Sequence, residues 1–126
     1  MASTKPKEPK RVLLVEDEYM IAQDMAYELR ALGAEVIGPA GSVAGALRLV
    51  ESEAAIDAAF LDLNLNGERA YPIADLLLAR GVHVVFTTGY DASAIPPPYT
   101  QVPRCGKPVT RLMLRRMLEA VEQGAD

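Results

Sequence analysis

The chain has little of the residue types on which many functional sites depend. Its 126 residues include a single cysteine, Cys105, and a single histidine, His83. One cysteine excludes an internal disulfide and fits a reducing compartment. His83 lies inside an apolar run that we predict below to be a strand, one strand length from the predicted polar site. We therefore interpret it as a packing residue and not as a base. We interpret Cys105 as a packed, inert thiol, although the nearby Arg104 and Lys107 could lower its pKa.

The sequence also lacks the marks of membrane and nucleic-acid-binding proteins. No apolar run approaches the ~20 residues of a membrane span, and the start of the chain has no hydrophobic signal core. The formal net charge is −4, so there is no basic footprint for nucleic acid or an anionic membrane. No GxGxxG motif follows the first predicted strand, which leaves dinucleotide binding without support. We therefore expect a cytoplasmic globular protein.

What the sequence does contain is a regular alternation of two kinds of segment. Short apolar runs bounded by turns or acids are typical of strands buried on both faces of a parallel sheet. These runs are 11–15, 34–38, 58–63, 82–87 and, more weakly, 101–105. Apolar residues at helical spacing mark four further segments. They are Ile21, Met25, Leu29 and Leu32, then Val43, Leu47 and Val50, then Ile73, Leu76 and Leu77, and finally Leu114, Met117, Leu118 and Val121.

Strict alternation of strand and helix predicts right-handed βαβ units around a parallel sheet. We therefore predict an α/β fold, a doubly wound, five-stranded parallel sheet of order 2-1-3-4-5, which is flavodoxin-like. Cap signals support the helix ends, with Gly33 as a C-cap and Ser42 and Thr110 as N-caps. The three prolines at 96–98 cannot lie inside a regular helix, so we predict an irregular fourth crossover.

The length of the chain is enough for one hydrophobic core and too short for two. Residues 1–10 are polar and rich in Lys and Pro, so we predict a flexible N-terminal tail. Residues 11–123 then form one folded domain. No output domain is expected after the last helix.

Polar side chains stand at the carboxyl ends of four predicted strands. They are Glu16 and Asp17 after the first, Asp62 on the third, Thr87 and Thr88 on the fourth, and Lys107 just past the fifth. In a doubly wound sheet, ligands bind outside the carboxyl ends of the strands, where the winding reverses. The predicted strand order therefore brings these side chains to one crevice.

Three carboxylates in one crevice repel one another and call for a hard cation such as Mg²⁺. An ionised Asp62 near such a cation can act as a nucleophile toward a phosphoryl group. Lys107 would supply a positive charge and Thr88 a hydroxyl donor. Thr88 is favoured over Thr87 because neighbouring strand residues point to opposite faces. The simpler reading is that Asp62 forms a turn and that the acids after the first strand cap a helix.

Four segments, "LLVEDE", "FLDLNLNG", "FTTGY" and "GKP", resemble the signature segments of response regulator receiver domains, the phosphoacceptor half of two-component signalling. The resemblance covers about residues 11–123. It implies that Glu16 and Asp17 are the acidic metal-binding pair, with Asp62 as phosphoacceptor and a further metal ligand. It implies that the backbone carbonyl of Asn64 is also a metal ligand. It further implies that Thr88 is the switch hydroxyl and that Lys107 is the conserved lysine. "FTTGY" further resembles the FATGUY subgroup, often single-domain receivers that work beside sensor histidine kinases.

Two features depart from the pattern of that family. Typical receivers carry Tyr or Phe three residues before the lysine, where this chain has Arg104. Typical receivers also have a full fourth helix, where this chain has "AIPPPY". Both departures lie on the face that commonly reports phosphorylation, so the usual coupling of threonine to aromatic ring is not expected here.

The resemblance implies a stand-alone receiver that accepts a phosphoryl group on Asp62 from a histidine kinase in a Mg²⁺-dependent, self-catalysed reaction. Apart from this self-catalysed phosphorylation, it would have no enzymatic activity. It would signal by binding an unidentified downstream protein or act as a phosphate sink, as a monomer or weak dimer. One alternative is a haloacid dehalogenase-like phosphatase, although those need Asp where this chain has Asn64. Another is an interaction module that works without phosphorylation.

Overall fold

The computed structural model describes residues 8–89 and 95–123. The strands are β1 Arg11–Val15, β2 Glu35–Ala40, β3 Ala58–Asp62, β4 Asn64–Leu65, β5 Glu68–Arg69, β6 His83–Thr88 and β7 Arg104–Gly106. The helices are α1 Tyr19–Ala31, α2 Val43–Ser52, α3 Tyr71–Ala79 and α4 Arg111–Gln123. Residues 1–7 of the predicted tail lie outside the described residues.

Five strands form one parallel sheet in the order β2-β1-β3-β6-β7. The predicted order 2-1-3-4-5 is thereby confirmed, because β4 and β5 form a separate antiparallel hairpin. The strand bounds differ slightly from those predicted. β6 extends to Thr88, and β7 begins only at Arg104, since Pro103 just before it has no amide hydrogen to donate to a ladder.

The sheet is covered on both faces, as the apolar strands predict. Side chains along β1 alternate between two cores, with Leu13 on one face and Val12 and Leu14 on the other. The first core includes residues of α2 and α3, and the second includes residues of α1 and α4. A sheet buried on both faces leaves its carboxyl edge as the place for polar side chains.

The predicted helix caps are all present. The α1 helix ends in a Schellman motif, in which the Ala34 amide donates to the Leu29 carbonyl at 3.0 Å and Gly33 has a φ of 92°. The Ser42 hydroxyl accepts from the Gly45 amide at 3.0 Å, and the Thr110 hydroxyl accepts from the Met113 amide at 3.3 Å.

The crossover between β6 and β7 is irregular over its described part, as predicted. Its described helical element is one 3-10 turn, Pro97–Tyr99. Pro96 precedes that turn with extended backbone, at φ −66° and ψ 156°. Residues 90–94, which belong to the same predicted loop and include the last residue of the "FTTGY" segment, lie outside the described residues.

Candidate functional site

Three carboxylates meet at the carboxyl edge of the sheet. Glu16 follows β1, Asp17 lies in the turn before α1, and Asp62 is the last residue of β3. One oxygen from each lies within 4.8 Å of the others. Glu16 and Asp62 are buried and Asp17 is half-buried. The strand order therefore brings together the three acids that the sequence placed at strand ends.

Lys107 is bonded to two of these acids. Its Nζ lies 2.9 Å from Glu16 Oε1 and 3.0 Å from Asp62 Oδ2. Its backbone amide donates to the Thr88 carbonyl at 2.8 Å, which fixes the residue at the end of β7. Burial acts to lower the pKa of Lys107, but its bonds to Glu16 and Asp62 outweigh burial and raise it. The ammonium charge is thus held inside the acidic cluster.

The side chain of Glu16 is fully buried. Burial raises its pKa to about 7, with the negative charge of Asp62 acting in the same direction and Lys107 and the Glu18 amide acting against it. Its Oε2 accepts from the Glu18 amide at 3.1 Å. Its Oε1 is fully buried and, among the described residues, receives no hydrogen bond besides the ion pair with Lys107.

This arrangement fits a hard divalent cation. Carboxylate oxygens are the ligands that Mg²⁺ takes in proteins, and the buried Glu16 Oε1 lacks a hydrogen-bond donor of its own. Lys107 contributes one positive charge against three carboxylates. A second positive charge would relieve the remaining repulsion.

A hairpin follows Asp62 and contacts the acids. The Asn64 amide donates to Asp62 Oδ1 at 3.1 Å, and the Asn64 side chain accepts from the Gly67 amide at 2.9 Å. The Asn66 amide donates to Asp17 Oδ2 at 2.9 Å. This hairpin was not predicted from the sequence. Its signal was the Asn66-Gly67 dipeptide, which is typical of a tight two-residue β-turn.

Thr87 and Thr88 are both buried at the end of β6. Residues on β6 alternate between the two cores, so Thr88 lies on the face of Phe86 and Thr87 on the face of Val85. Thr87 pairs with Asp62 in the strand register, and Thr88 pairs with Gly106 beside Lys107. Both threonines lie at the carboxyl end of β6, and the choice of Thr88 as the reacting hydroxyl stays a prediction.

A cavity of about 480 Å³ opens beside Lys107. It lies between α1 and the segment after β7, and its lining includes Ile21, Met25, Gly89 and Pro108. Among the described residues, a Cβ built at Gly89 would meet no atom within 4 Å, so the side of the cavity formed by Gly89 is open.

Comparison with solved structures identifies the family. The solution structure of SdrG from Sphingomonas melonis Fr1 is 36% identical to this chain, with 93% of this chain and 99% of SdrG covered and a TM-score of 0.80. The chain belongs to the response regulator receiver family. The BeF3-activated conformation of SdrG from Pseudomonas melonis Fr1 is similar as well, at 37% identity over 88% of this chain and 94% of that one, with a TM-score of 0.74.

A more distant receiver shares the fold. The receiver domain from Clostridium thermocellum is 23% identical over 89% of this chain and 93% of its own length, with a TM-score of 0.77. No protein-family model matches the sequence, and no curated protein matches it. Receivers are signalling domains and not classical enzymes, which favours the receiver over the phosphatase alternative. None of the helices in the described part of this receiver is long and apolar enough to cross a membrane.

Arg104, which stands where typical receivers have an aromatic residue, is exposed on β7. A different set of rings packs against the sheet of this receiver. Tyr71 and Tyr99 stack, with ring centroids 4.3 Å apart and planes 14° from parallel. Both meet Phe86 edge-on, at centroid distances of 6.0 Å and 6.3 Å. Phe86 lies two residues before Thr88 on the same face of β6.

Cys105 and His83 are the two residues that we interpreted as packing residues. Cys105 is buried, and burial raises the pKa of its thiol, which opposes the possible lowering by neighbouring cations. His83 is the first residue of β6, at the amino end of the strand, whereas the acids lie at the carboxyl edge.

Proposed function

We propose that this receiver accepts a phosphoryl group on Asp62 from a sensor histidine kinase in a Mg²⁺-dependent reaction. The observation that carries the proposal is the position of Asp62. Its carboxylate is buried, shares a cluster with Glu16 and Asp17, and lies 3.0 Å from the ammonium of Lys107. Receivers as a family interact with histidine kinases and with downstream partners.

The metal would be held by the three acids and by the backbone carbonyl of Asn64. The Asn64 side chain is occupied by the Gly67 amide, which leaves its backbone carbonyl as the oxygen for this role. When bound, Mg²⁺ supplies positive charge to the acids and to the phosphoryl oxygens.

Asp62 is the nucleophile of the proposed reaction. A bond forms between one of its carboxylate oxygens and phosphorus as the phosphorus–nitrogen bond of the donor phosphohistidine breaks. The imidazole nitrogen keeps the electron pair of that bond and takes a proton from solvent. Lys107 is close enough to Asp62 to offset negative charge on the product, and the hydroxyl of Thr88 serves as a donor to a phosphoryl oxygen.

The output of the proposed reaction is an altered surface or removal of phosphoryl groups from the kinase. The "FTTGY" segment supports membership in the FATGUY subgroup, whose members are often single-domain receivers. We accordingly propose a cytoplasmic protein, monomeric or weakly dimeric, that binds a downstream protein or works as a phosphate sink.

Intact-mass spectrometry after incubation with acetyl phosphate and Mg²⁺ tests the proposal. We expect one phosphoryl adduct on the wild-type protein, no adduct with EDTA, and no adduct on Asp62→Asn. The Asp62→Asn protein is a matched control because it keeps the shape of the side chain and relieves a crowded negative cluster. No adduct on the wild-type protein would favour the phosphorylation-independent module, and an unchanged adduct on Asp62→Asn would refute the assignment of Asp62.

A further inference from the structure

The hairpin after Asp62 turns through two residues with left-handed backbone. Asn64 pairs with Arg69 and Leu65 with Glu68, which leaves Asn66 and Gly67 as the turn. Asn66 has a φ of 53° and Gly67 a φ of 89°. Positive φ at both central positions defines a type I′ turn, in which asparagine and glycine are the favoured pair.

The turn aims a backbone amide at an acid of the site. The Asn66 amide donates to Asp17 Oδ2 at 2.9 Å, across 49 positions of sequence. Within the described part of the chain, this amide is the hydrogen-bond donor of Asp17. Glu16 and Asp62 are each tied to Lys107, whereas Asp17 is half-buried and has no ion-pair partner among the described residues. The orientation of Asp17 therefore depends on the turn.

We propose that the Asn66–Gly67 turn is a positioning element of the metal site, a role that rests on the proposed function. The amide holds Oδ2 of Asp17, and among the described residues no donor bonds the second carboxylate oxygen. A carboxylate already fixed in place loses less rotational freedom when a divalent cation binds. Partners that orient a metal ligand through hydrogen bonds are a general determinant of metal affinity.

The short segment between Asp62 and the turn supports the positioning role. The segment that carries the phosphoacceptor also carries the turn, because only three residues separate Asp62 from Asn66. One end of the segment is held by the Asn64 amide on Asp62, and the other by the Asn66 amide on Asp17. The turn thus joins the metal ligand after β1 to the nucleophile on β3.

Gly67→Ala is the variant that tests the turn. A Cβ at Gly67 would meet no atom within 4 Å, so the substitution acts through the backbone and not through a clash. Alanine disfavours a φ of 89°. We expect Mg²⁺ to bind roughly tenfold more weakly to the unphosphorylated protein, measured by titration of backbone amide NMR shifts.

Gly33→Ala is the matched control. Gly33 has a φ of 92°, and its added Cβ would likewise meet no atom within 4 Å. It lies at the end of α1, just before β2, at the amino edge of the sheet and away from the acids. We expect a comparable loss of stability with unchanged Mg²⁺ affinity.

Two further readouts separate positioning from general destabilisation. At saturating Mg²⁺ the rate of phosphorylation by acetyl phosphate should return to the wild-type value in Gly67→Ala, so that only the Mg²⁺ dependence shifts. In metal-free protein, Asp17→Ala should move the Asn66 amide proton resonance upfield by removing its acceptor.

Equal Mg²⁺ affinity in Gly67→Ala and wild type would overturn the positioning role. An equal loss of affinity in Gly33→Ala would also overturn it, because the effect would then follow stability. A wild-type protein that binds no Mg²⁺ overturns the proposed function together with this role. A wild-type protein that binds Mg²⁺ but forms no adduct overturns phosphoryl transfer alone.

Discussion

The hydroxyl of Tyr99 donates a hydrogen bond of 2.7 Å to the carboxylate of Asp75. Tyr99 ends the 3-10 turn of the fourth crossover, and Asp75 lies on α3. Together with the stacking of Tyr99 on Tyr71, this bond ties the crossover to the helix. The proline-rich segment is therefore held to α3 through Tyr99, although it has no long helix in its described part.

The first prediction concerns this anchor. Tyr99→Ala removes a ring with two aromatic neighbours and should lower the free energy of unfolding by about 2 kcal/mol. Tyr99→Phe keeps the stacking and loses an exposed hydrogen bond, so it should cost less than about 1 kcal/mol. Urea denaturation followed by circular dichroism measures both. Tyr27→Ala, at a position that is 67% exposed, is the control and should change stability by no more than about 0.5 kcal/mol. Equal losses at Tyr27 and Tyr99 would contradict the anchoring role.

The second prediction concerns Arg104. Its side chain is exposed on the edge strand, and the ammonium that pairs with Asp62 belongs to Lys107, so Arg104→Tyr should leave the rate of phosphorylation by acetyl phosphate within a few-fold of wild type. Its effect should fall on binding of the downstream protein. Adduct formation followed by intact mass tests the first part. A large loss of phosphorylation would place Arg104 in the site after all.

The third prediction separates Lys107 from the metal ligands. Lys107→Ala leaves Glu16 and Asp62 buried without their ion pair, so the metal-free protein should lose about 1–3 kcal/mol of stability. Mg²⁺ should restore part of that loss, because the cation replaces the missing positive charge. Phosphorylation should be impaired even with Mg²⁺ in excess. Asp17→Asn should differ from Lys107→Ala in its response to Mg²⁺. It should bind Mg²⁺ more weakly and be phosphorylated more slowly at low Mg²⁺.

Denaturation in EDTA and in Mg²⁺, with adduct formation measured on the same proteins, distinguishes the two variants. A Lys107→Ala protein with normal phosphorylation would show that the ammonium serves only to neutralise the acids in the metal-free state.

The fourth prediction concerns Cys105, whose pKa is raised by burial. A raised pKa means less thiolate at neutral pH, so iodoacetamide should modify the native protein much more slowly than the urea-unfolded protein. The raised pKa also determines how the free energy of unfolding changes with pH. The contribution of this thiol is fully present below the pKa of the unfolded thiol and is lost as the pH rises through the raised folded value. Cys105→Ser should therefore show a smaller loss of stability in alkaline solution, and rapid native-state alkylation would contradict burial as the cause.

The sequence alone determined the sheet and most of the helix ends. The parallel sheet followed from the alternation of apolar runs with helical patterns, and the order 2-1-3-4-5 is one of the few arrangements that crossover connections allow. The caps at Gly33, Ser42 and Thr110 were readable because capping is a local interaction within a few residues. The meeting of Glu16, Asp17 and Asp62 was also foreseeable, since the carboxyl ends of parallel neighbours share one edge.

Only the tertiary structure decided how these side chains are bonded. The contact of the Asn66 amide with Asp17 spans 49 positions, and the stack of Tyr71 on Tyr99 depends on where the fourth crossover lies against α3. The ion pairs of Lys107 with Glu16 at 2.9 Å and with Asp62 at 3.0 Å likewise join segments that are distant in sequence. Periodicity and propensity describe neighbours along the chain, whereas these contacts are set by packing between segments that are distant in sequence.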